Sequence, residues 1–172
     1  MPRRYKKQKK RTKKKTLRRR QRRRRRSKRH GGDYSNMAKR LMKSKNIVRI
    51  LESHSPLSGL IAENIKFEKK NSSEQFHAMW SSSLTDSSVK GKPDNQALDF
   101  SSRFNGLGDL LDVTTKPLIF DADNGGRLEH LPFTIRTLER LGVSAIMIED
   151  KIGLKKNSLF KDQTGAKQDS IK

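Results

Sequence analysis

Residues 117–150, PLIFDADNGGRLEHLPFTIRTLERLGVSAIMIED, decide the fold. Pro117–Phe120 is a short unbroken apolar run, the pattern of a strand buried on both faces. Glu129–Leu141 carries apolar residues at helical spacing and stops at Gly142, a residue suited to the left-handed conformation that closes a helix. Val143–Ile148 is apolar again. Strand, helix and strand in this order predict a right-handed βαβ unit, and such units build a parallel sheet.

Towards the N-terminus the same alternation repeats. Ile47–Leu51 (IVRIL) and Phe76–Trp80 (FHAMW) read as two more strands. Pro56–Asn64 has helical spacing, with Leu57, Leu60 and Ile61 on one face. Asn95–Leu111 carries a helical pattern around Ala97, Leu98 and Phe100 that breaks near Gly106 and Gly108. Lys66–Gln75 is polar and reads as a loop. Four strands thus start near Ile47, Phe76, Pro117 and Val143, and the fold class is α/β. No internal repeat is present.

Polar residues follow the last three strands directly: Ser81, Ser82 and Ser83 after Trp80, then Asp121 and Asp123, then Glu149, Asp150 and Lys151. Carboxyl ends of parallel strands are where such sheets bind ligands. Several carboxylates at neighbouring strand ends repel unless a cation neutralises them, and a hard divalent ion such as Mg²⁺ suits oxygen ligands. The same residues also fit a plainer reading, in which the aspartates cap helices and Glu149 pairs with Lys151 or Lys155. The serines offer hydroxyls and amides to an anion, or make a polar turn. Lys151, Lys155 and Lys156, around Gly153, form either a cationic loop able to cover an anion or a solvated charged loop. The glycine-rich turn at 123–126 lacks a phosphate-binding lysine at the required spacing. His54 and His130 have no zinc-ligand spacing to a partner.

Charge is unevenly placed. The 172 residues hold 41 Lys and Arg against 18 acids, a formal charge of +23. Residues 1–30 hold 20 of those cations and no acid, so residues 31–172 carry only +3 (21 − 18). A block of like charges repels itself and buries nothing, so the arm is expected to be disordered alone. Two readings fit it: attraction to RNA, DNA or another polyanion through residues 3–30, with nuclear import as a related use, or a solvated tail without a partner. Residues 31–36 (GGDYSN) read as a linker. Residues 1–36 are therefore taken as arm and linker, and 37–172 as the folded part. Met37 is an alternative start. The absence of Cys excludes a disulfide scaffold, and no apolar run approaches a membrane span. The expectation is a soluble, cytoplasmic protein.

Trp80-Ser-Ser-Ser-Leu84, Asp94 within GKPD, FDADNGG at 120–126 and IEDKIGLKKNSLF at 148–160 together resemble phosphoenolpyruvate mutase, of the isocitrate lyase/phosphoenolpyruvate mutase superfamily. The resemblance runs from about Ile47 to Phe160. It implies a (β/α)8 TIM-type barrel that binds Mg²⁺ and interconverts phosphoenolpyruvate and phosphonopyruvate, the C–P bond-forming entry to phosphonate biosynthesis. Residue by residue, it implies that Asp121 ligates Mg²⁺ directly and that Asp123 and Glu149 act through water. Trp80, Ser82, Ser83 and Leu84 resemble the residues that hold substrate. Asp94 resembles the acidic residue of a mobile loop, and Lys155 and Asn157 the gating pair beside the migrating phosphoryl group. The lyases of the superfamily use a Cys in this loop. Here the loop reads GLKKNSL, which disfavours lyase chemistry. Phosphonopyruvate hydrolase stays open as an alternative, as does a nucleic-acid-binding protein whose barrel remnant is inert.

Two departures stand out. Ser83 occupies a position that is usually Gly in the family, and 66–74 is long. A complete barrel needs roughly 250 residues, whereas the motifs end after about four βα units. The expectation is a truncated barrel, poorly stable or inactive alone, that needs a second copy or a separate other half, or equally a fragment of a longer product.

Overall fold

The computed structural model describes residues 33–45, 47–157, 159 and 167–170. The arm, residues 1–30, lies outside the described residues. The chain opens with helix α1 (Asp33–Ser44). There follow β1 (Ile50–Glu52), α2 (Pro56–Asn64), β2 (Lys66–Lys69), β3 (Ser72–Gln75), β4 (Ala78–Ser81), α3 (Ser83–Val89), α4 (Phe100–Val113), β5 (Leu118–Asp121), α5 (Leu131–Leu141) and β6 (Ala145–Met147). Strands β1, β4, β5 and β6 form one parallel sheet in that spatial order. The βαβ expectation therefore holds for all four strands.

The helices start and stop where local chemistry dictates. Ser55 caps α2, its hydroxyl accepting from Ser58 N while Ser58 Oγ accepts from Ser55 N, and Pro56 enters without a backbone N–H to satisfy. Asp99 caps α4 through the Ser102 amide at 2.9 Å and hydroxyl at 2.7 Å. Gly142 ends α5 at φ 104°, and its N–H returns to Leu138 and Glu139. A Cβ at Gly142 would lie 3.1 Å from the Tyr34 ring, so α1 rests against the N-terminal end of β6.

Alternation along the strands sorts the sheet into two faces. One face presents Leu51, Met79, Leu118, Phe120 and Ile146, which pack with Ala62, Leu107, Leu110, Leu138 and Val143 from the helical side. The other carries Glu52, Trp80 and Ile119, with Asp121 and Met147 at its end, in direct parallel register. This inner face is less covered. Leu118 and Phe120 are fully buried, but Ile119 is only partly so, and Met147 is exposed. Pro117–Phe120 is thus fully covered on one face only.

Three local expectations need correction. Residues 66–75 are not a loop: β2 and β3 make an antiparallel hairpin in which Phe67 meets Phe76 edge-on at 5.6 Å. The helix read as broken near Gly106 and Gly108 runs through both, because its buried stripe of Arg103, Leu107 and Leu110 outweighs a cost of about 1 kcal/mol per glycine. The linker read at 31–36 yields to helix from Asp33 onwards, where Tyr34 finds a packing partner at Gly142.

Candidate active site: carboxylates and cations at the strand tips

Asp121 ends β5, and its carboxylate is tied down on both oxygens. Oδ2 accepts from Ser83 N at 3.1 Å and Ser83 Oγ at 2.9 Å, and Oδ1 accepts from Asp123 N at 3.0 Å. Ser83 is the first residue of α3, so the tip of β4 and the start of that helix hold the tip of β5. The chain then turns sharply. Asp123 sits at φ 55°, a left-handed conformation that Asp tolerates better than most residues, and its carbonyl accepts from Glu149 N at 2.7 Å.

Lys155 reaches into this group. Its ammonium donates to Asp94 Oδ1 at 2.7 Å, to Ser83 Oγ at 2.7 Å and to Asp123 Oδ1. The side chain is only 5% exposed. Burial pushes the amine down, but the hydrogen bonds and charges of Asp123 and Asp94 outweigh it and hold it above the ordinary lysine range.

A second buried cation stands behind the carboxylates. The Arg103 guanidinium donates to Asp86 Oδ2 at 2.9 Å, to the Asp121 carbonyl at 2.6 Å and to the Ser81 carbonyl and hydroxyl at 3.4 Å. Nη1 lies 3.6 Å from Asp123 Oδ2, and the group stacks 4.1 Å above the Phe120 ring. Arg103 thereby fixes the ends of two neighbouring strands. Sequence reasoning passed over it. Its signal was a cation in register with Leu107 and Leu110 on the apolar stripe of α4. Asn124 was also missed: Oδ1 accepts from Gln96 Nε2 at 2.7 Å and Nδ2 donates to the Gly153 carbonyl at 3.0 Å, clasping three loops.

The structure therefore brings together Ser83, Asp94, Asp121, Asp123 and Lys155. Ser82 is buried beside them as the N-cap residue of α3, and half-buried Leu84 is the second residue of that helix. Trp80 stands on the inner face of β4, half-buried. Glu149 departs from the group: its Oε2 lies 2.8 Å from Lys151 Nζ in a half-buried ion pair, without the geometry of a hydrogen bond. Asn157 is buried, and its Oδ1 accepts from Leu159 N at 3.0 Å. A cavity of about 690 Å³ between α2, α3 and α4 shares Ser81, Asp86 and Arg103 as a wall but contains none of the residues expected from sequence to act.

Mg²⁺ fits this site in charge and donor type. Asp86, Asp94, Asp121 and Asp123 against Arg103 and Lys155 leave a formal −2 (−4 + 2), the balance one divalent cation would supply, and all donors are hard oxygens. The donors are not gathered around one point: among the described residues no three carboxylates or imidazoles converge. The ammonium of Lys155 lies between Asp94 and Asp123 instead. Among the described residues no helix is long and apolar enough to cross a membrane.

Comparison with known proteins places the fold. A phosphoenolpyruvate phosphomutase of Tetrahymena pyriformis is 29% identical over 125 residues, 72% of this chain and 39% of that protein. The crystal structure of a phosphoenolpyruvate phosphomutase from Streptomyces platensis subsp. rosaceus superposes with a TM-score of 0.65 at 27% identity, over 77% of this chain and 43% of its own. A phosphonopyruvate hydrolase crystallised with oxalate and Mg²⁺ shares the fold, with a TM-score of 0.61 at 24% identity over 72% of this chain and 41% of its own. The chain thus spans about two-fifths of the length of these relatives, and its parallel sheet is the corresponding part of their TIM-type barrel. The sequence profile of the phosphoenolpyruvate phosphomutase family matches residues 38–170, and the chain belongs to that family.

Proposed function

We propose that this chain carries the Mg²⁺- and phosphoryl-handling part of an enzyme that interconverts phosphoenolpyruvate and phosphonopyruvate. The observation that carries the reading is the buried group of Asp94, Asp121, Asp123, Ser83 and Lys155 at the tips of β4 and β5.

In this reading Asp121 would hold the metal ion directly, and Asp123 and Glu149 would act through water. When bound, the ion supplies positive charge to the carboxylate and enolate oxygens of a three-carbon acid. Trp80, Ser82, Ser83 and Leu84 wall the substrate, and the Ser83 amide and hydroxyl are donors of the kind an anionic oxygen accepts. A phosphoryl group passing from oxygen to carbon traverses a loose, metaphosphate-like state, so the protein must hold it and keep water away. Lys155 places a charge against its oxygens, Asp94 sets the position of that ammonium, and Asn157 can donate without being a nucleophile. For the arm, the proposed partner is a polyanion.

The test follows phosphorus by ³¹P NMR. Phosphonopyruvate with Mg²⁺ should yield phosphoenolpyruvate, with loss in EDTA and at least 100-fold loss in Asp121→Asn, as expected for removal of a group that stabilises developing charge. Release of inorganic phosphate instead would assign the hydrolase reaction. Unchanged substrate with salt-sensitive RNA binding would favour the nucleic-acid alternative.

A further inference from the structure

Glu52 and His54, at the tip of β1, belong to none of the roles above. Glu52 is the direct parallel partner of Trp80, so the two side chains stand side by side on the inner face of the sheet. Adjacent strands lie only about 4.8 Å apart. One oxygen of Glu52 is anchored: Oε2 lies 3.2 Å from His54 Nδ1. The other, Oε1, is buried and has no hydrogen-bond partner in the protein, and the same is true of Trp80 Nε1. One orphan is an acceptor and the other a donor. Buried polar groups in folded proteins are seldom left this way, because an unmade hydrogen bond costs the full desolvation of the group.

The anchorage of Glu52 traces back to helix α2. Ser58 Oγ accepts from the backbone N–H of His54 and of Ser55, both at 3.0 Å, within the cap that starts the helix. The cap fixes the backbone of His54, and the imidazole fixes one oxygen of Glu52. The second oxygen is left free to swing.

We propose that Glu52 is the positioning residue of Trp80. A rotation of the carboxylate about its anchored oxygen brings Oε1 to the indole N–H. The bond satisfies both orphans and sets the plane of the indole. Pairing is a property of the protein alone. Its use, a rigid ring against which a small anion rests, relies on the function proposed above.

The chain has a single Trp, so the indole ¹⁵N–¹H signal reports on Trp80 alone. The indole proton should exchange with D₂O about tenfold more slowly in the wild type and in Glu52→Gln than in Glu52→Leu, the factor that one ordinary hydrogen bond supplies. His54→Phe, which frees the anchored oxygen, should lie between. Equal exchange in the wild type and Glu52→Leu overturns the proposal. If Glu52→Leu does not fold, wild-type exchange as fast as that of free indole overturns it without any variant. A second titration uses oxalate with Mg²⁺, a planar chelating mimic of an enolate acid. Affinity should fall about tenfold in Glu52→Leu and return in Glu52→Gln. Slow exchange in a wild type that binds no oxalate would leave the pairing standing and remove the enzymatic reading.

Discussion

At Lys155 two opposing effects meet. Removing an ammonium from water favours its neutral form, whereas the carboxylates of Asp123 and Asp94 favour the charged one, and the carboxylates prevail. The sign of the resulting pH dependence follows. A lysine raised above its ordinary value of 10.5 stabilises the fold at every pH below that value and loses its effect only as pH climbs through the higher folded value. Lys155→Met should therefore cost ~3–5 kcal/mol at neutral pH, since it strands two buried carboxylates. Urea unfolding should give the same deficit from pH 7 to 10, and a deficit that vanished within that interval would contradict the pairing. Residues of this kind were legible in part. Asp121, Asp123, Asp94 and Lys155 were found through motif and position. Arg103 was not, because a cation in a helix reads as solvent-facing until its neighbours Leu107 and Leu110 are known to be buried. Glu149 points elsewhere because Lys151, two residues on, competes for it.

The helices and strands show why local pattern succeeded where it did. β4 and β5 are largely buried and their apolar runs record it, whereas β6 packs through Ile146 and ends on the exposed Met147. The β2–β3 hairpin left no such record: Phe67 remains 46% exposed, neither face of the ribbon covers the core, and polar residues fill both. Its tie to the rest includes the Arg49–Glu74 pair at 2.7 Å, a contact distant in sequence. The approach of α2 to α4 depends on a missing side chain. A Cβ at Gly59 of α2 would lie 2.3 Å from Leu110 Cδ1 and 2.9 Å from Thr114 Cγ2 of α4. Leu110 is fully buried and has little space to turn. Gly59→Ala should therefore destabilise by ~1–3 kcal/mol despite the better helix propensity of Ala. Chemical denaturation measures this, and a neutral or stabilised variant would mean that α2 and α4 pack less closely.

Across the whole molecule, charge and chemistry are divided. The first 30 residues carry +20 of the +23, and the match to the family, residues 38–170, lies entirely beyond them. Deleting residues 1–30 should abolish salt-dependent binding to RNA or heparin, because the phosphate attraction of a cationic segment comes mainly from released counterions. The same deletion should leave the oxalate–Mg²⁺ affinity within about twofold, a change below ~0.5 kcal/mol. Fluorescence polarisation and calorimetry on the two forms separate these outcomes, and a strong loss of oxalate binding would show that the arm serves the site. The contact of Tyr34 with Gly142 bears on how such measurements are best arranged. It moors the first helix at the amino end of the sheet, while the buried carboxylates crown the opposite pole. A surface that gripped α1 itself would therefore hold the molecule by its base and leave the carboxylate rim turned towards solution.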